Sequence, residues 1–166
     1  MELNKEFNME YKENHDYSCN KYITKIKQFN IRIFNQLLNE IGCTDFTCEQ
    51  SFILQALWRK NELTCIEIAN ETGLAPNTVT VLLNNLSKNG MIERKANPKD
   101  RRQVIVRITE KGLNAKKDFD KVLSRIINIG FKDFTDTEYE QFQKSLEKLC
   151  LSYENYFNSS LKEKIC

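Results

Sequence analysis

Between Thr64 and Thr109 the hydrophobic period changes twice within one short stretch, and this narrows the folds open to the chain more than any other feature. Thr64 and Glu67 have the spacing of a capping box, in which a hydroxyl and a carboxylate each satisfy a backbone N–H at a helix start. Ile66, Ile68 and Ala69 supply a buried side, and Gly73 ends that helix about two turns later. Pro76 then suits a first helical turn, where its missing N–H costs nothing. Val79, Leu82, Leu83 and Leu86 make one apolar face of the second helix, with Asn77, Thr78, Thr80, Asn84 and Asn85 elsewhere around it. Gly90 stops it. The period then drops to two, predicting strands over Met91–Lys95 and Gln103–Ile108. In the second strand Val104, Val106 and Ile108 take one face, and Gln103, Ile105 and Arg107 the other. The loop Ala96–Arg102 holds the turn formers Asn97, Pro98 and Asp100.

Longer helical patterns flank this stretch. Tyr22, Ile26, Phe29, Ile33, Leu37 and Ile41 recur at three- and four-residue steps before Gly42. Thr47 and Gln50 form another capping pair ahead of a helix with Phe52, Ile53, Ala56 and Leu57 as its buried face, and Asn61 and Glu62 read as a short connection. Thr109 caps a long helix carrying Leu113, Phe119, Val122, Leu123, Ile126 and Ile127, broken at Phe131–Phe134. Thr135 and Glu138 open a last helix with Tyr139, Phe142, Leu146, Leu149, Tyr153 and Phe157. Four helices, a hairpin and two more helices give a mainly α fold with a β wing of two or three strands: a winged helix-turn-helix with long terminal helices. The expected divisions are a polar extension at 1–18, an N-terminal dimerisation helix at 19–43, a winged helix-turn-helix domain at 44–112, and C-terminal dimerisation helices at 113–166. The terminal stripes exceed what a small winged helix must cover, and a second copy is their simplest use, with internal packing alone as the alternative.

Charge is uneven. The net charge is +2, yet the segment Arg94–Arg107 holds Arg94, Lys95, Lys99, Arg101, Arg102 and Arg107 against the single acid Asp100, so the rest of the chain is net acidic. A concentrated basic loop points to a localised polyanion contact. The six cysteines (Cys19, Cys43, Cys48, Cys65, Cys150 and Cys166) form no CxxC pair, and with His15 as the lone histidine they gather no zinc-like cluster. The opening MELNKEFNMEYKEN has no apolar run and does not read as a signal peptide. Free thiols in a reducing cytoplasm, with no membrane span, are the expectation. No phosphate loop, nucleophile elbow or paired-carboxylate motif suggests an enzyme, and no cofactor or metal is expected.

The central stretch resembles the MarR family of transcriptional regulators. Six pieces occur in register: Phe46-Thr47-x-x-Gln50, Glu67-Ile68-Ala69, Pro76-Asn77-Thr78-Val79-Thr80, Asn89-Gly90-Met91-Ile92-Glu93-Arg94, Asn97-Pro98-Lys99-Asp100-Arg101-Arg102, and Ile108-Thr109-Glu110-Lys111-Gly112. Phe46, Met91 and Ile108 stand where leucine is usual and remain apolar. The resemblance implies a homodimer, more often a repressor, that binds a pseudo-palindromic duplex. It also implies a small aromatic ligand as signal, with binding residues unknown, and places Arg94 near the DNA backbone at the wing base.

On that reading the second short helix enters a major groove and its N-terminal residues meet base edges. Asn77 can pair bidentately with adenine, Thr78 and Thr80 offer a hydroxyl or a methyl, and Asn84 extends the same surface. Lys99, Arg101 and Arg102 supply the wing's charge, and an arginine there can enter a narrow minor groove. Asp100 is expected to hold Arg102 by charge-assisted pairing, leaving Arg101 to reach. Two alternatives stand beside this: a winged helix that binds a protein partner and no DNA, and a thiol-sensing regulator working through Cys19. Cys43, Cys65 and Cys150 fall at apolar or near-apolar positions and read as core.

Overall fold

The computed structural model describes residues 18–98, 100 and 103–163. Along the chain run α1 (Ser18–Glu40), α2 (Cys48–Lys60), β1 (Glu62–Thr64), α3 (Cys65–Thr72), α4 (Pro76–Lys88), β2 (Ile92–Ala96), β3 (Val104–Ile108), α5 (Glu110–Asn114), α6 (Lys116–Phe131) and α7 (Asp136–Glu163). The described residues fall into two compact units, one running to Val122 and one from Leu123. Of the polar extension expected at 1–18, only Ser18 is described, and it opens α1.

The first unit is organised around α2. Its capping box is formed: the Gln50 backbone N–H donates to Thr47 Oγ1, and the Thr47 N–H donates to Gln50 Oε1 at 2.9 Å. Ile53, Leu54 and Leu57 of α2 are fully covered, together with Ile68 of α3, Leu86 of α4, and Met91 and Val106 of the sheet region. Each such aliphatic side chain contributes roughly 2 kcal/mol by leaving water. Phe119 closes one side, its ring 5.7 Å from Phe34 and 5.1 Å from Trp58. The strands form an antiparallel sheet in the order β1-β3-β2, with Leu63 opposite Val106 and Arg94 opposite Val106 from the other side.

Several expectations need correction. Glu62, read with Asn61 as a short connection, instead opens β1, which lines the free edge of β3. Asn61 adopts φ 59° at the end of α2, a left-handed φ that asparagine tolerates, and this turns the chain directly into pairing. Phe52 and Ile66 are exposed, at 37% and 64%, whereas Leu54 is buried. In α1 the buried residues are Phe34, Leu37 and Leu38, so of the expected stripe only Leu37 is buried. Tyr22, Ile26 and Phe29 face outward. The helix after Thr109 is interrupted at Ala115 into α5 and α6, and Leu113 is exposed. Among the described thiols Cys48 is the buried one, burial pushing it up to about 11. Cys43 and Cys65 are half-buried and Cys150 is exposed.

In the second unit the break after α6 is an aromatic corner. The Phe131 ring lies 5.2 Å from Phe134, 4.8 Å from Tyr139 and 6.1 Å from Phe142. The third capping box starts α7, with the Thr135 N–H donating to Glu138 Oε2 at 2.9 Å. Along α7, Leu151, Tyr153, Tyr156 and Phe157 are well exposed. Among the described residues no helix is long and apolar enough to cross a membrane.

Candidate nucleic-acid interface

The helix-turn-helix is built from α3 and α4. The Thr64–Glu67 box fixes the start of α3: the Glu67 N–H donates to Thr64 Oγ1 and the Thr64 N–H to Glu67 Oε2 at 2.7 Å. Those bonds favour the carboxylate and hold Glu67 below its usual range. Gly73 ends α3 with φ 65°, a conformation that disfavours any side chain, and so allows a short turn into α4. Pro76 occupies the first turn of α4, and Ala75 before it gives no side-chain cap. The leading amides of α4 are therefore left for water or a phosphate oxygen.

Val79, Leu83 and Leu86 anchor α4 in the core. Asn77, Thr78, Thr80 and Asn84 are all exposed on the rest of its circumference. Thr80 Oγ1 donates to the Pro76 carbonyl at 3.0 Å, which engages its proton and leaves its oxygen to accept and its methyl to make contact. Val81 is also outward, 58% exposed. The sequence reading passed over it because it sought polar side chains, although the four-residue step from Asn77 places it on the same stripe.

Arg94 of β2 meets α4 across an open cleft of about 300 Å³, lined by Thr80, Arg94, Lys95, Gln103, Val104 and Cys65 among others. Two expected wing cations are answered by acids outside the basic segment. Arg107 makes a forked contact to Glu62, Nε at 3.0 Å and Nη2 at 2.6 Å, and the pairing raises its pKa. Lys95 pairs with Glu93 at 2.9 Å. Lys99, Arg101 and Arg102 lie outside the described residues, and with them the expected Asp100–Arg102 pair. Asp100 receives the Gln103 amide at 3.2 Å, and its carbonyl accepts the Gln103 N–H at 2.9 Å, closing the β2–β3 turn.

A further positioning group escaped the sequence reading. Lys111 Nζ donates to Asp45 Oδ1 at 2.7 Å and to the Asn89 carbonyl at 3.0 Å, while Asn89 Nδ2 donates to the Asp45 carbonyl at 2.8 Å. These bonds tie the α1–α2 loop to the exit of α4. Spacing could not reveal them, because the three residues are distant in sequence. Among the described residues no His, Cys, Asp and Glu gather into a metal-sized group.

Fold and exposed helix together define a winged helix-turn-helix protein. Residues 32–119 match the family described as Transcriptional regulator SarA/Rot. The chain belongs to this family of transcriptional regulators. A relative, the uncharacterized HTH-type transcriptional regulator YwhA of Bacillus subtilis, is 28% identical over 134 residues, covering 81% of this chain and 91% of its own. The fold is shared with a mutant MarR from E. coli solved in complex with operator DNA, at 23% identity and a TM-score of 0.70, over 78% of this chain and 91% of that one. It is shared also with Bordetella bronchiseptica BpsR, solved in work on regulation of its DNA binding by 6-hydroxynicotinic acid, at 20% identity and a TM-score of 0.71, over 79% and 97%. Family and relative are regulators and not enzymes.

Proposed function

We propose that the protein is a homodimeric, cytoplasmic transcriptional repressor that binds a pseudo-palindromic operator. Residues 44–112 form its DNA-binding domain, and the helices of 19–43 and 113–166 form its dimer interface. The observation that carries this reading is the outward face of α4, polar and uncapped at its start, opposite a core-anchored apolar face and beside the Arg94 hairpin. Asn77, Thr78, Thr80 and Asn84 read the major groove. Arg94, Lys99, Arg101 and Arg102 meet phosphates or the minor groove, and Asp100 shapes the wing turn. The MarR structure solved with operator DNA supports this assignment through the shared fold.

A small aromatic ligand modulates binding in this proposal, as the BpsR work suggests for that relative. The cleft between α4 and the hairpin suits an anionic aromatic molecule, since Arg94 lines it beside Val104. A ligand there would touch Thr80 and Arg94 and so alter the DNA-reading surface directly. Cys19 is exposed near the start of α1, which keeps thiol sensing as the alternative signal.

Selection of bound sites from random duplexes tests the central reading, with recovery of an inverted repeat as the expected result. On the selected duplex, Arg101→Ala with Arg102→Ala should weaken binding and flatten the log-log salt dependence by roughly two, about 0.9 for each phosphate contact removed. Unchanged affinity and slope would remove the wing from the interface. Failure to enrich any duplex would favour a winged helix that binds a protein partner.

A further inference from the structure

We propose that Val81 is a specificity determinant of the α4 face and that it recognises the C5-methyl group of a thymine in the major groove. This rests on the DNA-binding reading above and specifies its chemistry. Asn77, Val81, Asn84 and Lys88 follow one another at steps of four, three and four, so they form one stripe along α4. That stripe lies opposite the buried Val79, Leu83 and Leu86. Val81 is 58% exposed near its centre. An isolated exposed valine elsewhere would need no explanation. Here it interrupts an otherwise polar reading face, and as a β-branched residue it weakens the helix slightly compared with alanine.

Its chemistry fits one feature of duplex DNA. Among the base edges in the major groove, the thymine methyl is the apolar group, and the other recognition features are hydrogen-bond donors and acceptors. Valine in a helix holds essentially one χ1 rotamer, so its two methyl groups are already placed and little side-chain entropy is lost on contact. Asn77 and Asn84, on either side, carry amides that can pair with adenine. The face presents no arginine, aspartate or glutamate, and Lys88 stands at the C-terminal end of the helix, away from the leading turns. The half-site that matches this order of side chains is rich in A·T pairs, with a thymine methyl seated against Val81.

The test uses the full chain and a synthetic duplex recovered by selection from random DNA. Each thymine is replaced in turn by uracil, which deletes the methyl and leaves every hydrogen-bonding group in place. One position in the half-site should weaken binding by roughly fourfold, the worth of one buried methyl-sized group. The same replacement should change the affinity of Val81→Ala by less than about twofold, because coupling vanishes once a partner is gone. Thr78→Ser and Thr80→Ser, which delete the other candidate methyls of α4, should each keep the full uracil effect. Absence of any uracil effect overturns the proposal while the DNA-binding reading stands. So does a uracil effect that persists in Val81→Ala or disappears in Thr78→Ser or Thr80→Ser. Complete loss of binding by a folded Val81→Ala also overturns it, since one methyl contact cannot account for so large a change. If the wild type enriches no duplex, the DNA-binding reading falls and this proposal falls with it.

Discussion

Gly112 is the residue whose smallness the fold uses most directly. A Cβ there would run into the Met91 carbonyl and the Ile108 side chain. Its own polar groups are engaged as well: its carbonyl accepts from Trp58 Nε1 at 2.9 Å, and its N–H donates to Thr109 Oγ1 at 3.1 Å. One glycine thus sets the entry of α5 against the turn that leaves α4, where Thr109 Oγ1 also donates to the Gly90 carbonyl at 2.7 Å. Backbone lies on one side of the missing methyl, so the neighbours have little room to adjust. Gly112→Ala should therefore cost about 1–3 kcal/mol, the usual range for overpacking. In urea this appears as a lower unfolding midpoint with an unchanged slope. An unaltered midpoint would show that the α5 entry yields more easily than its contacts imply.

At the scale of elements, local chemistry decides where helices begin. Thr47–Gln50, Thr64–Glu67 and Thr135–Glu138 all form the caps that their spacing announces. Two of these caps carry a titration. The Thr64 bonds to Glu67 and the Thr135 bonds to Glu138 lower both carboxylate pKa values from an ordinary 4.5. A group depressed in the folded state adds stability that is fully present above its unfolded value and is lost as pH falls through the folded one. The starts of α3 and α7 should therefore loosen below about pH 4.5, seen as faster amide exchange in their first turns. Glu67→Gln, which removes the titrating group, should abolish the pH dependence at α3, whereas Thr64→Ala keeps the backbone N–H bond to Glu67 and should only weaken that dependence while costing about 1 kcal/mol. Retention of the full dependence in Glu67→Gln would assign it to another group. Caps, Gly73, Pro76 and the face of α4 were legible because each depends on residues a turn or less apart. The strand β1 was not, since Glu62-Leu63-Thr64 is too short to alternate and exists through its pairing with β3. Nor was the orientation of α1 and α2. Periodicity shows that an apolar stripe exists, but with Phe34 and Leu38 beside Ile26 and Phe29, or Leu54 beside Phe52, the neighbouring elements choose which one is covered.

For the whole molecule the question is what covers the terminal helices. Tyr22, Ile26 and Phe29 of α1 are 56%, 56% and 46% exposed, and Tyr153, Tyr156 and Phe157 of α7 are 58%, 76% and 66% exposed. Contiguous apolar faces of this kind mark interaction surfaces. A second copy is the occupant that the proposed operator symmetry requires, because a two-fold dimer places matching helices on two half-sites. Ile26→Glu and Tyr153→Glu, made separately, introduce a charge on each face while leaving the core of either unit untouched. Both should shift the protein towards monomer in light scattering, at concentrations where the wild type is dimeric. Both should also reduce affinity for the full inverted repeat towards the level of a single half-site, since the second half-site no longer binds as part of one molecule. Half-site affinity itself should change little, because Asn77, Val81 and Asn84 lie on α4, in neither substituted helix. If both variants stay dimeric and keep full-site affinity, the terminal helices are not the interface, and operator symmetry would have to be matched by some other surface.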